Sequence, residues 1–244
     1  MKKRAVILIA GMGRRMGNLT KYTPKSLLHI LGKPILFHNI DNLSAIGIND
    51  ITVVTGYKSK KIQKKIEKSS HYSFPKCIFN PFYRYTESIV SLWLFLRFNQ
   101  IDNHGVIVVS GDRILHPDIY QALKETDKLT LVGLGPKEYP ITPRDSIVIK
   151  NNRVISIGEK SSYVFGGILY IPGNKISVFL DSIEKVLSVE EGTKKWYLEG
   201  MNEIIKRERI NALTFPLNFC VNINRPSDLE NSRIKRILGG ISDA

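Results

Sequence analysis

The sequence has few of the residues that build cross-linked or zinc-containing proteins. Its 244 residues include only two cysteines. Cys77 and Cys220 each lie inside an apolar, strand-like run, which is the usual setting of a buried free thiol. The five histidines never fall at metal-ligand spacings such as H-E-x-x-H. These patterns argue against a disulfide framework and against a zinc site.

Long apolar runs are missing as well. The run from Ala5 to Ala10 is too short for a signal sequence, and no other stretch approaches the roughly 18 apolar residues that a membrane span needs. The sequence also has no proline-rich linker, low-complexity tract or internal repeat. We therefore expect a soluble, cytoplasmic protein with no membrane span and one domain over residues 1–244.

Acidic residues are scarce relative to basic ones, at 22 against 36, which gives a net charge of +14. Such a charge is compatible with nucleic-acid binding. The basic residues are nevertheless spread along the chain without the interleaved aromatics of a single-strand binding surface. A positive field also attracts polyphosphate substrates, so no nucleic-acid partner is expected.

Short β-branched runs alternate with helical patterns over the first half of the chain. This alternation predicts a parallel sheet with helices on both faces. The predicted elements are strands at 5–10, 51–56, 76–80 and 105–112, with helices at about 34–46, through the lysines near 58–68, and at 88–98.

The second half is different, because residues 146–150 and 153–158 flank Asn151-Asn152 as in a β-hairpin. A strand at 165–171 that opens with two glycines, helices near 174–187 and 197–207, strands in ALTFP and FCVNIN, and a closing helix from Pro226 complete the prediction. The expected fold class is α/β, a single-domain, Rossmann-like three-layer sandwich with a mostly parallel mixed sheet and a small β-insertion.

A glycine-rich turn, Gly11-Met12-Gly13-Arg14-Arg15-Met16-Gly17, follows the first strand directly. Backbone amides in such a turn can face an anionic ligand, and phosphate is the expected one. The third glycine of a dinucleotide fingerprint is replaced by Met16, and the Walker pattern is absent.

The stretch from Leu8 to Leu36 continues with Thr20 to Leu28, which contains Pro24-Lys25, and with Gly32-Lys33-Pro34. It resembles the signature of the sugar-phosphate and alcohol-phosphate nucleotidyltransferases, roughly L-A-A-G-x-G-x-R-[LM], then T-x-x-x-P-K-x-L and G-K-P-[LI]. Ile9 stands where this signature has alanine, which is a conservative change. The resemblance implies the nucleotide-diphospho-sugar transferase type of fold, with an NTP-binding half at 1–112 and an acceptor-binding half at 113–244.

The resemblance implies that the enzyme transfers a nucleoside monophosphate and releases pyrophosphate. Arg15 and Lys25 would be the catalytic cations, Arg15 on the leaving phosphates and Lys25 between the α-phosphate and the acceptor phosphate. Without the motif, both would be taken as solvated side chains. The implied nucleotide-binding residues are Leu8, Ala10, Gly11, Gly13, Arg15, Thr86, Ser88 and Gly111.

A metal pair is implied by two other segments. Asp112 closes an apolar strand, where a carboxylate points into the ligand crevice of an α/β sheet, and it resembles the first Mg²⁺ ligand of the family. Asn224 stands at the second ligand position, where the family often has aspartate; an amide oxygen still coordinates a hard cation. The alternatives are a turn or capping aspartate at 112 and a helix N-cap at 224.

The assignment of acceptor-binding residues depends on weaker resemblances to the family. Lys160 would hold the acceptor phosphate and Glu159 would face its hydroxyls, although an exposed ion pair is equally compatible. The segment 80–92 and Trp196 to Glu199 resemble the cytidylyltransferase branch that acts on phosphocholine, inositol phosphate or phosphonates. The implied acceptor-binding residues are Lys25, Glu159, Lys160, Gly167, Tyr197 and Glu199.

The expected partners are an NTP, with CTP favoured, and a small phosphate or phosphonate acceptor, and a homodimer is left open. One alternative is a sugar-1-phosphate transferase that uses UTP, dTTP or GTP. The other is a non-catalytic protein that binds nucleotide or nucleic acid, since Asn222 and Asn224 remove two negative charges.

Overall fold

In the computed structural model of the protein, residues 2–69, 75–99, 104–136 and 143–239 are described. The strands are β1 (Lys3–Leu8), β2 (His29–Ile30), β3 (Lys33–Pro34), β4 (Ile51–Thr55), β5 (Lys76–Phe79), β6 (Gly105–Ser110), β7 (Arg113–Leu115), β8 (Thr130–Leu134), β9 (Ser146–Lys150), β10 (Arg153–Ile157), β11 (Tyr163–Ile171), β12 (Asn211–Phe215) and β13 (Cys220–Asn222). The α-helices are α1 (Ile35–Ala45), α2 (Ser59–Glu67), α3 (Ser88–Phe98), α4 (Pro117–Glu125), α5 (Ile176–Leu187), α6 (Tyr197–Ile205) and α7 (Arg233–Gly239).

Nine strands form one sheet in the order β5-β4-β1-β6-β11-β8-β12-β10-β9. β5, β4, β1 and β6 pair in parallel, whereas β11 runs antiparallel between β6 and β8. The sheet is therefore mixed, and the β9–β10 hairpin forms the predicted β-insertion. Two small pairs, β13 with β7 and β2 with β3, lie outside it.

The strands at the centre of the sheet bury both faces. Because successive side chains of a strand point to opposite sides, Val6 and Leu8 lie in one apolar cluster and Ala5 and Ile7 in another. Helices α3, α5 and α6 contribute to the first cluster, and α1, α2 and α4 to the second. The three-layer α/β fold predicted from the sequence is thereby confirmed.

Several boundaries differ from the sequence prediction. The sequence pattern predicts no element between residues 113 and 134, but the structure has β7, α4 and β8 there. The predicted strand at 165–171 begins earlier, at Tyr163, and its glycines lie at a register shift between Phe165 and Leu169. The closing helix does not begin at Pro226: a 3-10 segment, Pro226–Glu230, ends at an extended Asn231, and α7 starts at Arg233.

The sheet order places the ends of two neighbouring strands beside each other. β1 and β6 are adjacent and parallel, with Leu8 opposite Ser110, so the glycine turn after β1 and the Gly111-Asp112 pair after β6 leave the sheet at the same edge. The chain after β13 joins this edge as well, because the Ile223 amide donates to the Asp112 carbonyl at 2.9 Å. Among the described residues, none of the helices has the length and apolar character needed to cross a membrane.

Candidate active site

The turn after β1 is held against Lys25. Gly13 has φ +63, in the left-handed region that glycine adopts most readily, and the chain then turns into a 3-10 segment, Arg14–Thr20. The Thr20 hydroxyl donates to the Gly13 carbonyl at 3.2 Å. A Cβ at Gly13 would lie 3.0 Å from Lys25 Cβ. The turn and the base of the Lys25 side chain are therefore in close contact.

Four side chains predicted from distant parts of the sequence meet at one point. Lys25 Nζ donates to Asp112 Oδ2 at 2.9 Å and to Asn224 Oδ1 at 3.2 Å. Arg15 Nη2 donates to the same Asn224 oxygen at 2.7 Å. The two predicted cations and the two predicted metal ligands thus form one hydrogen-bonded network, although 209 residues separate Arg15 from Asn224.

Asn224 is not the N-cap of the 3-10 segment that follows it, in contrast to the alternative prediction. The amides of Asn224 and Arg225 both donate to Asp228 Oδ2 at 2.7 Å, so Asp228 supplies the capping carboxylate. Because the backbone of Asn224 is held by Asp228, its side-chain oxygen is left to accept from Lys25 and Arg15.

The charge on Asp112 is set by opposing effects. Partial enclosure of the carboxyl opposes its ionisation, but the positive charges of Lys25 and Arg113 outweigh that effect and hold the pKa of Asp112 below its ordinary value. The Asp112 side chain is still 39% exposed. Asp112 is therefore a charged carboxylate that is accessible from the surface.

These groups lie at a cavity of about 730 Å³, within the range of small-molecule sites. Twelve of the sequence-predicted site residues contribute to its wall: Leu8, Ala10, Gly11, Gly13, Arg15, Lys25, Thr86, Ser88, Gly111, Asp112, Tyr197 and Asn224. The wall also includes Arg14, Asn80, Tyr83, Arg84, Glu87, Lys194 and Trp196, which were not predicted as site residues.

Another part of the wall is built where α3 and α6 begin. Ser88 Oγ accepts from the Tyr197 amide at 3.3 Å, and the Tyr197 hydroxyl is 2.8 Å from Ser110 Oγ at the end of β6. Tyr197 is 3% exposed, and its burial raises the pKa of the phenol, so it stays protonated. Tyr197 therefore connects this part of the wall to the end of β6, with its ring largely in the core.

Four of the predicted acceptor-binding residues do not contribute to the cavity wall, and three of them, Glu159, Lys160 and Glu199, have charged side chains. Glu199 Oε2 accepts from the Trp196 amide at 2.6 Å, so this carboxylate caps the first turn of α6. Glu159 and Lys160 are exposed and lie in the connection between β10 and β11. The structure thus brings none of the three to the network around Lys25.

Gly167 is the fourth predicted acceptor-binding residue that lies outside the cavity wall, and it has a packing role in the structure. It has φ +80, and a Cβ there would lie 2.2 Å from Arg113 Cδ. Arg113 is 8% exposed, and its Nη1 donates to the Phe165 carbonyl at 2.9 Å. The guanidinium of Arg113 therefore fills the space that a side chain at position 167 would need.

Sequence reasoning missed Arg113 and Asp145, which both contribute to the cavity wall. Arginine is always charged, so its burial calls for acidic neighbours, and Asp112 and Asp145 both lie close enough to stabilise its charge. Asp145 Oδ1 is buried and has no hydrogen-bond partner among the described residues. The sequence offers only a weak local signal for Arg113, which directly precedes the apolar pair Ile114-Leu115.

Asp112 and Asn224 are suited to a divalent metal ion. Asp112 Oδ2 and Asn224 Oδ1 face one point that already carries positive charge, the Lys25 ammonium. Both are hard oxygen ligands of the kind that Mg²⁺ prefers. In the described ranges, no group of three or more His, Cys, Asp or Glu side chains could hold a metal, so the protein would supply few ligands and the substrate and water the rest, as is usual for Mg²⁺.

A parallel half-sheet with a glycine turn, two cations and a carboxylate at the same edge is an arrangement that α/β proteins use to bind phosphate groups. A family model described as "Nucleotidyl transferase" matches residues 4–146, more than half of the chain. The chain therefore belongs to the nucleotidyl transferase family, as the sequence signature predicted.

The chain is similar to curated proteins with different acceptors in their names. It is 26% identical over 149 residues to a CMP-5'-(3-aminopropyl)phosphonate synthase from Streptomyces rubellomurinus, covering 60% of this chain and 22% of that protein. It is also 26% identical over 256 residues to a bifunctional sugar-1-phosphate nucleotidylyltransferase/acetyltransferase from Sulfurisphaera tokodaii, covering 98% of this chain and 59% of that protein. The matches thus span less than two thirds of either relative.

Among solved structures, the CTP:phosphocholine cytidylyltransferase from Streptococcus pneumoniae superposes with a TM-score of 0.80 at 23% identity, covering 94% of this chain and 97% of that one. This likeness confirms the nucleotidyltransferase fold. The predicted similarity to the cytidylyltransferase branch is confirmed in sequence by the phosphonate relative.

Proposed function

We propose that the protein transfers the nucleoside monophosphate of an NTP, with CTP favoured, to a small phosphate or phosphonate acceptor and releases pyrophosphate. Mg²⁺ is the proposed cofactor. The observation that carries the proposal is the network in which Lys25 contacts Asp112 and Asn224 while Arg15 contacts the same Asn224 oxygen. This network adjoins a cavity large enough for two small substrates.

The proposed chemistry is an in-line displacement. An oxygen of the acceptor phosphate attacks the α-phosphorus of the NTP, and the bond from that phosphorus to the bridging oxygen breaks as pyrophosphate leaves. Such reactions need positioning and charge neutralisation more than covalent help from the protein. A bound Mg²⁺ would neutralise charge on the phosphates.

The residues of the chain have distinct tasks in this proposal. The amides of Gly11 and Gly13 and the guanidinium of Arg15 bind the triphosphate. Lys25 orients the α-phosphate and the acceptor phosphate toward each other, because the base of its side chain packs against Gly13 of the glycine turn and its ammonium reaches Asp112. Asp112 and Asn224 would hold the metal ion.

The proposed division of labour follows the two halves of the chain. Residues 1–112 would bind the NTP, since they carry the glycine turn, Lys25 and Asp112. Residues 113–244 would bind the acceptor. In place of Glu159, Lys160 and Glu199, which do not contribute to the cavity wall, we propose that Arg113 and Asp145 contact the acceptor.

A second candidate, a sugar-1-phosphate nucleotidyltransferase, is favoured by the relative from Sulfurisphaera tokodaii, which aligns with 98% of this chain. The preference for CTP rests on the phosphonate synthase and on the solved cytidylyltransferase. The two candidates share the phosphate chemistry and differ in the base and in the acceptor.

Pyrophosphate release distinguishes these candidates. The chain is incubated with Mg²⁺, one of CTP, UTP, GTP or dTTP, and one of phosphocholine, inositol phosphate, an aminoalkyl phosphonate or a hexose 1-phosphate. We expect release with CTP and one of the first three acceptors, and none from Lys25→Ala prepared in parallel. Release only with a hexose 1-phosphate would favour the second candidate. Nucleotide binding without release from any pair would contradict both and support a non-catalytic nucleotide-binding protein.

A further inference from the structure

The two oxygens suited to metal coordination are already engaged by cations of the chain itself. Lys25 Nζ contacts Asp112 Oδ2 and Asn224 Oδ1, and Arg15 Nη2 contacts the same Asn224 oxygen. The Lys25 side chain is only 13% exposed. Its ammonium is therefore held between the two metal-ligating candidates, largely shielded from solvent.

These contacts compete with metal coordination at the same two oxygens. A divalent ion bound by Asp112 and Asn224 would face the Lys25 ammonium at short range, and like charges at such distances repel strongly where solvent is partly excluded. The main chain of Lys25 cannot retreat easily, since Lys25 Cβ lies against Gly13 and the Lys25 carbonyl accepts from the Leu28 amide at 3.0 Å. Only the flexible end of the side chain can move.

Lys25 and Arg15 have another anionic partner available in the proposed reaction. Both would bind phosphates of the NTP, and a triphosphate offers several strong acceptors to an ammonium and a guanidinium. A nucleotide that draws Lys25 and Arg15 toward its phosphates releases Asp112 Oδ2 and Asn224 Oδ1 at the same moment.

We infer that Lys25 is an exchangeable internal cation that makes the metal and the nucleotide bind together. The metal alone competes with Lys25 for Asp112 and Asn224 and is held weakly. The phosphates remove that competition, so the metal–nucleotide complex is the species that the site accepts. This inference rests on the proposed function, because it needs the phosphates to lie beside Lys25.

The coupling must be reciprocal, since each ligand changes the affinity of the other by the same factor. Couplings between two ligands of one protein are typically about 5- to 150-fold. Removal of the Lys25 charge should raise the affinity for a divalent metal alone by at least about tenfold, within that range. It should also bring the metal affinities measured with and without nucleotide closer together.

The test measures Mn²⁺ binding by electron paramagnetic resonance, with and without CTP and with no acceptor present. Lys25→Met removes the charge and keeps most of the side-chain length. Arg14→Met is the matched control, because Arg14 also lies at the cavity wall but donates to Met12 Sδ and to neither metal-ligating candidate. Lys25→Gln is a second variant should the methionine variant fail to fold, which circular dichroism would show.

Tighter Mn²⁺ binding without CTP in the Lys25 variant, and unchanged binding in Arg14→Met, would support the inference. An equal gain in both variants would attribute the effect to net charge and overturn it. Unchanged or weaker Mn²⁺ binding in a folded Lys25 variant would overturn it too. Because none of these titrations needs turnover, they are independent of the pyrophosphate assay that tests the proposed function.

Discussion

Substitution of Gly13 by alanine tests whether the shape of the glycine turn matters for the reaction, because the backbone amides of the turn stay in place. Gly13 has φ +63, and the new Cβ would lie 3.0 Å from Lys25 Cβ and 3.2 Å from Thr20 Cγ2. The left-handed conformation alone should cost about 1–2 kcal/mol of folding stability. For a chain of this size, that corresponds to a melting temperature lower by about 2–8 °C.

The contact with Lys25 should add an effect on the reaction. Relief of the clash requires Lys25 to shift by a few tenths of an ångström or the turn to move away from it. Misplacement of a catalytic group on the scale of an ångström costs about 100-fold in rate. We therefore expect kcat/KM for pyrophosphate release to fall by up to about 100-fold.

Gly47→Ala is the matched control. Gly47 has φ +82, and a Cβ there meets no atom within 4 Å. Its variant should show a comparable loss of melting temperature with unchanged kcat/KM. If Gly13→Ala lowered the melting temperature yet kept full kcat/KM, the packing of the turn against Lys25 would not be what positions the ammonium.

Three further predictions concern single side chains. Lys25→Ala and Asp112→Ala should each abolish pyrophosphate release while circular dichroism shows an intact fold, and full activity in either would contradict the assignment. Glu199→Ala should remove the cap of α6 and cost about 1 kcal/mol in chemical denaturation with little change in kcat; a selective rise in the KM for the acceptor would restore the binding role predicted from the sequence. Tyr120→Phe removes the hydroxyl that donates to Asn39 Oδ1 at 2.7 Å, and the unpaired buried oxygen should cost about 1–3 kcal/mol, measured by urea denaturation; a change below that range would mean that Asn39 finds another partner.

Much of the first half of the fold is predictable from sequence. Buried parallel strands are nearly all apolar, so runs such as Val106 to Val109 stand out, and helix α3 has the boundaries that its pattern predicts. By contrast, β7 is only three residues long and pairs with β13, more than a hundred residues away. A strand that exists because of a distant partner has little local signal.

The residues of the site also divide into those that the sequence predicts and those that it does not. Lys25, Asp112 and the turn at Gly13 belong to motifs that follow strands, and the sheet brings strand ends together, so their meeting was predictable. The role of Glu199 was not, because the sequence does not say whether a carboxylate in the first turn of a helix faces a pocket or the helix's own amides. Arg113 was missed since burial of a charged side chain depends on neighbours from other segments.

The packing of Arg113 beneath Gly167 links two positions that are far apart in the chain. Any side chain at 167 would collide with the arginine, whereas a shorter residue at 113 would leave room for one. Substitution at these two positions therefore has a required order: position 113 must be shortened before a side chain fits at position 167, where the φ of +80 still favours glycine. The opposite order passes through an overpacked intermediate.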